Sequence, residues 1–124
     1  MKIREAIQEP MVSHLLQLCK RELELDELPP INLIDDDTSI KSGDKRSFGE
    51  FDGDTIKVVS KGRHPMDVMR TLAHELTHWK QRIEGQEMDG EDGSETENQA
   101  NSAAGIIMRR FAEKYPGYFI DSLP

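Results

Sequence analysis

His74-Glu75-Leu76-Thr77-His78 constrains this chain more than any other stretch. Two histidines four residues apart on a helix stand one turn apart on the same face. Imidazoles placed in this way can both reach one Zn²⁺ at about 2.0–2.1 Å. Glu75 follows the first histidine, so it would sit beside such an ion and could take a proton from water activated there. Two surface histidines on an ordinary amphipathic helix satisfy the same pattern by chance. The neighbours favour the metal. A helix from about Pro65 to Glu84 lines up Met69, Leu72, Leu76, Trp79 and Ile83 as one apolar stripe. His74 and His78 fall on the other side with Asp67 and Thr71, as expected of a helix that walls a cleft.

A catalytic zinc needs a third protein ligand and an open position. One known solution puts a glycine three and a histidine six residues after the second histidine. Gln81 and Glu84 occupy those positions, so that solution fails. Glu97 is the candidate instead. It opens a helical segment in which Ala100, Asn101, Ala104, Ile107, Met108 and Phe111 share its stripe. A carboxylate in line with apolar residues is costly to bury unless something binds it, and zinc would do so. The small Ala100 and Ala104 would let this helix approach the histidine helix closely. The competing reading makes Glu97 a first-turn glutamate favoured by the helix dipole.

His74-Glu75-Leu76-Thr77-His78 followed by Glu97-Asn98-Gln99-Ala100-Asn101 resembles the minimal gluzincin metallopeptidases, particularly the ImmA/IrrE type. In that family a Glu-x-x-Ala-Asn run on a second helix supplies the third ligand. The resemblance covers Pro65 to Phe111. It implies a zincin-like fold with a small sheet beside the active-site helix. It also implies zinc on His74, His78 and Glu97, with Glu75 as general base. One position departs from the family: the residue three after the alanine is often aromatic there and is Ala103 here.

Composition bounds the alternatives. The chain has 124 residues, enough for a single domain spanning 1–124. Its net charge of −8 argues against general nucleic-acid binding, which depends on Lys and Arg neutralising phosphates. A single cysteine, Cys19, lies among leucines and reads as a buried structural thiol in a reducing, cytoplasmic setting. The N-terminal residues lack a signal-peptide core, and no apolar run has membrane-spanning length. The expectation is a soluble cytoplasmic protein, favoured as a monomer, with a peptide or protein substrate and neither nucleic acid nor membrane as partner.

Met1 to Glu9 reads as a short strand or arm. Pro10 starts a helix that carries Met11, Val12, Leu15, Leu16, Cys19 and Leu23 to about Leu25, with His14 on its flank as a surface or capping residue. Ile31–Ile34 alternates like a strand. Asp35-Asp36-Asp37 is a solvated acidic turn, because an EF-hand would need a glycine where Ile40 stands. Ser39 to Lys45 reads as a turn or arm. Residues 47–51 and 55–59 flank Asp52-Gly53-Asp54 as two antiparallel strands. They would join Ile31–Ile34, leaving an edge either open to an extended substrate or guarded by charges such as Lys57. His64 would cap the histidine helix or enter the cleft. Gly85 ends that helix. Gln86 to Glu95 reads as a mobile, solvated acidic loop, which could also screen the cleft mouth or favour basic substrates. Tyr115 and Tyr118 are candidates for stabilising an oxyanion or, alternatively, for C-terminal aromatic packing.

The expected whole is an α+β domain with a small antiparallel sheet and about three main helices, acting as a zinc metallopeptidase. The rival is a non-catalytic zinc-binding interaction or regulatory module. Glu75 distinguishes them, since a structural site has no use for a carboxylate beside the first histidine.

Overall fold

A computed structural model of the chain describes residues 9–34, 40–42, 45–86 and 94–120. The N-terminal arm, the Asp35–Asp37 turn and most of the acidic loop, from 87 to 93, lie outside the described residues. In chain order the elements are α1 (Glu9–Glu22), β1 (Ile31–Ile34), β2 (Ile40–Ser42), β3 (Lys45–Ser47), β4 (Gly49–Phe51), β5 (Ile56–Val59), α2 (Pro65–Ile83), α3 (Glu95–Lys114) and α4 (Pro116–Ile120). The architecture is α+β. Among the described residues no helix is long and apolar enough to cross a membrane.

α1 stops at Glu22 rather than near Leu25. Glu24 adopts a left-handed conformation, φ 54°. The amide of Leu25 then donates back to the carbonyl of Lys20 at 2.8 Å, and that of Glu24 to Arg21 at 3.2 Å. This is a Schellman closure, and it turns Leu25 into the core, where it is buried. Met11, Leu15, Leu18 and Cys19 form the buried face of the helix. His14 is half-buried rather than a surface or capping residue. Its ring stacks on Tyr115 with centroids 4.3 Å apart, and its Nδ1 lies 2.7 Å from the Tyr118 hydroxyl.

The main sheet has the order β1-β5-β4. It is mixed, not antiparallel. β4 and β5 form the expected hairpin, with Gly49 opposite Val58 and Phe51 opposite Ile56. Asp52 Oδ1 accepts the amides of Asp54 and Thr55 at 2.9 and 2.8 Å, and Gly53 has φ 103°. An Asp side chain that closes the turn and a glycine free to take positive φ are what this turn requires. β1, however, pairs parallel to β5, with Ile31 opposite Ile56 and Ile34 opposite Val59. A parallel pair needs a long crossover. Residues 35–55 supply one, and they carry a second sheet of their own, the antiparallel pair β2–β3, where a turn or arm was expected. Since β5 is central, Lys57 does not guard an edge. It faces Glu50 on β4 and Asn32 on β1.

β5 buries Ile56, Val58 and Val59, and so covers both faces of the sheet centre. One face meets α2, whose Val68, Met69, Leu72 and Leu76 are fully buried. Ile107, Met108 and Phe111 of α3 complete the core with Leu15 of α1. The predicted apolar stripe of α2 ends one residue early. Trp79 packs edge-on to Phe51 at 6.0 Å, whereas Ile83 is 55% exposed in a last turn with no cover. Gly85 follows with φ 80°.

Candidate metal centre

α2 begins at Pro65, with His64 as its cap: His64 Nδ1 accepts the Met66 amide at 3.0 Å. His64 therefore caps the helix and does not serve the cleft. The period of α2 commits Leu72 and Leu76 to the core, which turns His74 and His78 toward α3. α3 begins at Glu95, two residues before Glu97, because the Ser94 hydroxyl caps the Glu97 amide at 3.3 Å. That start places Glu97 in the first turn, facing the histidines. Ala100 and Ala104 are buried in the interface and let the two helices come close.

The structure brings His74, His78 and Glu97 together. His74 Nε2 lies 3.0 Å from Glu97 Oε2, and His78 Nε2 lies 3.2 Å from Glu97 Oε1. The two Nε2 atoms are 3.2 Å apart. Donors about 2.0–2.1 Å from a tetrahedral zinc would be about 3.3–3.4 Å from one another. The two imidazole nitrogens are near that spacing, and each has one of the two Glu97 oxygens at a similar distance, so the residues fit a metal ion held by two imidazoles and a carboxylate. The rings stand nearly perpendicular, at 88°.

The protonation of His78 follows from its neighbours. Gln81, three residues on and buried, donates its amide nitrogen to the Thr96 carbonyl at 3.0 Å and to Gln99 Oε1 at 3.1 Å. A carbonyl accepts only from the NH₂ end, so Gln81 Oε1 must be the end that faces His78 Nδ1, at 2.8 Å. Nδ1 therefore carries the proton, and the Nε2 lone pair is left facing His74 and Glu97. His74 is held below the ordinary histidine pKa by burial and by His78, against the opposing pull of Glu97 and a hydrogen bond with the Asn101 side chain. A neutral imidazole is the metal-binding form.

Glu75 is buried, and burial pushes its carboxyl up to about 8, with Glu97 and Glu50 adding to the shift. It shares a cavity of about 490 Å³ with Phe48, Gly49, Arg70, His74 and Asn101. Gly49 on β4 allows this proximity: a Cβ there would stand 2.5 Å from Thr71 Cγ2 and 3.0 Å from Glu75 Oε2. Glu75, buried, and Glu97, partly buried, stand beside the two imidazoles and form a site suited to a cation.

Tyr115 and Tyr118 pack with His14 and Phe111 in an aromatic cluster. Tyr115 caps the far end of α3, eighteen residues from Glu97. At 1.5 Å per residue that is about 27 Å, too far to touch a reacting group. Sequence reasoning missed Gln81, treating its position only as the place of a missing glycine. It also gave no role to Gly49 or Arg70. For Gln81 the available signal was its spacing: three residues after His78, it shares the histidine face.

The chain matches no protein-family model, no curated protein and no solved structure.

Proposed function

We propose that this chain is a zinc-dependent peptide hydrolase in which His74, His78 and Glu97 hold the ion and Glu75 is the general base. The observation that carries the reading is the cluster of donor atoms, the two Nε2 atoms 3.2 Å apart and each 3.0–3.2 Å from one Glu97 oxygen, with Glu75 buried beside the adjoining cavity. When bound, the ion supplies Lewis acidity, acidifying water and polarising a carbonyl. Gln81 fixes the His78 ring, and Asn101 steadies His74. The Glu75 carboxylate takes the proton from the attacking water and passes it to the leaving amine. α2 and α3 wall the site from bulk solvent. A purely structural site would use a fourth protein ligand and would not need a buried, ionisable carboxyl next to the first histidine.

The test pairs metal analysis with turnover. Protein prepared without chelator should carry about one zinc per chain, removable by chelator and restorable. The loaded protein should cleave members of a mixed peptide library. Glu75→Gln should keep the zinc and lose activity on the order of 10²–10⁴-fold. Equal cleavage by Glu75→Gln and wild type would rule out this mechanism.

A further inference from the structure

Two cavities lie along the groove between α2 and α3. The first contains His74 and Glu75 and measures about 490 Å³. The second measures about 420 Å³ and is lined by Met66, Met108, Arg109 and Phe119, among others. Arg70 lines both. It precedes His74 by four residues, so on α2 it stands one turn, about 5.4 Å, from the metal ligand on the same side of the helix.

Arg63 and Arg70 lie by the cavity of His74, whereas Arg109 lines only the second one, and the situations of the first two differ. Arg63 is fully engaged. Its guanidinium donates to Val59 O at 2.9 Å, Asp67 O at 3.2 Å and Thr71 Oγ1 at 2.8 Å, and its plane sits 4.4 Å from the centre of the Phe48 ring. It is a strut that fixes Phe48 at the cleft wall. Arg70 is exposed, and among the described residues it makes no hydrogen bond, ion pair or ring contact. In a chain of net charge −8, with Glu75 lining the same cavity, a guanidinium at the cleft without a partner among the described residues is not explained by packing.

We propose that Arg70 is a specificity-determining residue that holds a carboxylate of the substrate within one or two residues of the bond positioned at His74, His78 and Glu97. An extended peptide advances about 3.3–3.6 Å per residue, so a group one helical turn from the metal meets the side chain or terminus next to the reacting bond or one further on. The guanidinium fork fits a carboxylate through two parallel hydrogen bonds. The carboxylate is either an acidic side chain or a free C-terminus. Phe48, 54% exposed on the opposite wall, offers an apolar surface to the stem of that residue. Read from the sequence, the acidic loop is a solvated one that could also favour basic substrates. The cleft itself favours acidic ones. This inference rests on the hydrolase reading only for the word substrate, because the binding preference exists whether or not a bond is cut.

The test therefore reads binding by titration calorimetry as well as cleavage. The probes are acetylated pentapeptide pools that differ only in carrying Glu, Gln or Lys at one position, each made as the C-terminal acid and as the amide. On zinc-loaded wild type, carboxylate peptides should bind about tenfold tighter or more than their amide counterparts, the effect of one charge-assisted contact. Tighter binding of Glu amides assigns the side chain, and tighter binding of Gln acids assigns the terminus. Arg70→Ala should erase the preference and Arg70→Glu should invert it in favour of Lys pools, while both variants keep one zinc. A carboxylate that ligated the ion directly would lose its advantage in His74→Ala, where the Arg70 contact should persist. No preference on wild type, no binding by any pool, or a preference unmoved by Arg70→Ala overturns the inference. Cleavage without a carboxylate preference would overturn it while leaving the hydrolase reading intact. Preference without cleavage would do the reverse.

Discussion

His78 Nδ1 and Gln81 Oε1 lie 2.8 Å apart in the interior of the α2–α3 interface. This contact sets which imidazole nitrogen faces His74 and Glu97. Gln81 also ties α2 to the first turn of α3 through the Thr96 carbonyl, so one side chain both orients a candidate ligand and fixes the helix that carries Glu97.

Replacing Gln81 should separate those two roles. Gln81→Leu removes the acceptor for His78 and leaves the Thr96 carbonyl without its donor. Zinc affinity should fall about 10–100-fold, and stability by about 1–3 kcal/mol. Gln81→Glu keeps an acceptor for His78 but loses the donor, so it should be destabilised while retaining more of the zinc affinity. Metal titration and chemical denaturation of both variants measure this. Equal zinc affinity in the two variants would mean that Gln81 serves only packing.

The third ligand is tested by two neighbouring glutamates. Glu97→Gln should weaken zinc binding strongly, because its carboxylate oxygens lie 3.0 and 3.2 Å from the two imidazole nitrogens. Glu95→Gln should leave it near wild type, since Glu95 is exposed and its side chain accepts from Gln99 at 3.3 Å, away from the histidines. Competitive titration against a chromophoric chelator reads both affinities. Indistinguishable values would remove Glu97 from the ligand set.

Much of this site was legible because its parts are local. Two histidines at i and i+4, an apolar stripe at Leu72 and Leu76, and a carboxylate in line with Ala100 and Ala104 are all consequences of helical period. The Asp52-Gly53 hairpin was legible for the same reason: the turn's chemistry sits within four residues. The β1–β5 pairing was not. Its direction depends on the route taken by residues 35–55, and strand patterns carry no sign for parallel or antiparallel. Gln81 was missed because a glutamine on a polar helix face looks solvated until another helix covers it. Ile83 erred the other way: it has the right period but no partner. That Arg70 has no partner among the described residues is a tertiary fact that no spacing encodes.

Gly49 brings β4 against the site, where a Cβ would meet Thr71 Cγ2 and Glu75. Thr71 cannot readily move aside, because its hydroxyl donates to Asp67 O at 3.0 Å and accepts from Arg63 at 2.8 Å. Gly49→Ala should therefore cost about 1–3 kcal/mol by overpacking. Thr71→Ser removes the methyl group that the new Cβ would meet at 2.5 Å, so the double variant should recover part of the loss. A double-mutant cycle by denaturant unfolding decides it. Strict additivity would show that the strand shifts freely and that the glycine is not needed for space.

The buried Glu75 carboxyl should leave a signature in the stability of the zinc-free chain. Its pKa rises from the ordinary 4.5 to about 8 on folding. Between those values the folded state holds a proton that the unfolded chain releases, so stability falls as pH rises through this window. Below pH 4.5 the group is protonated in both states and contributes no difference. Above pH 8 it is ionised in both and the full cost has accrued. Glu75→Gln has no such proton. Its advantage over wild type should therefore be small near pH 5, grow through neutrality and level off above pH 8. An advantage of about 1 kcal/mol corresponds to a melting shift of about 4 °C in a domain of this size. Thermal unfolding of both proteins in chelator, at pH 5 and pH 8, provides the comparison. A gap that stays constant across that range would show that Glu75 ionises as freely in the folded chain as in the unfolded one, and the buried base assigned to it would have to be abandoned.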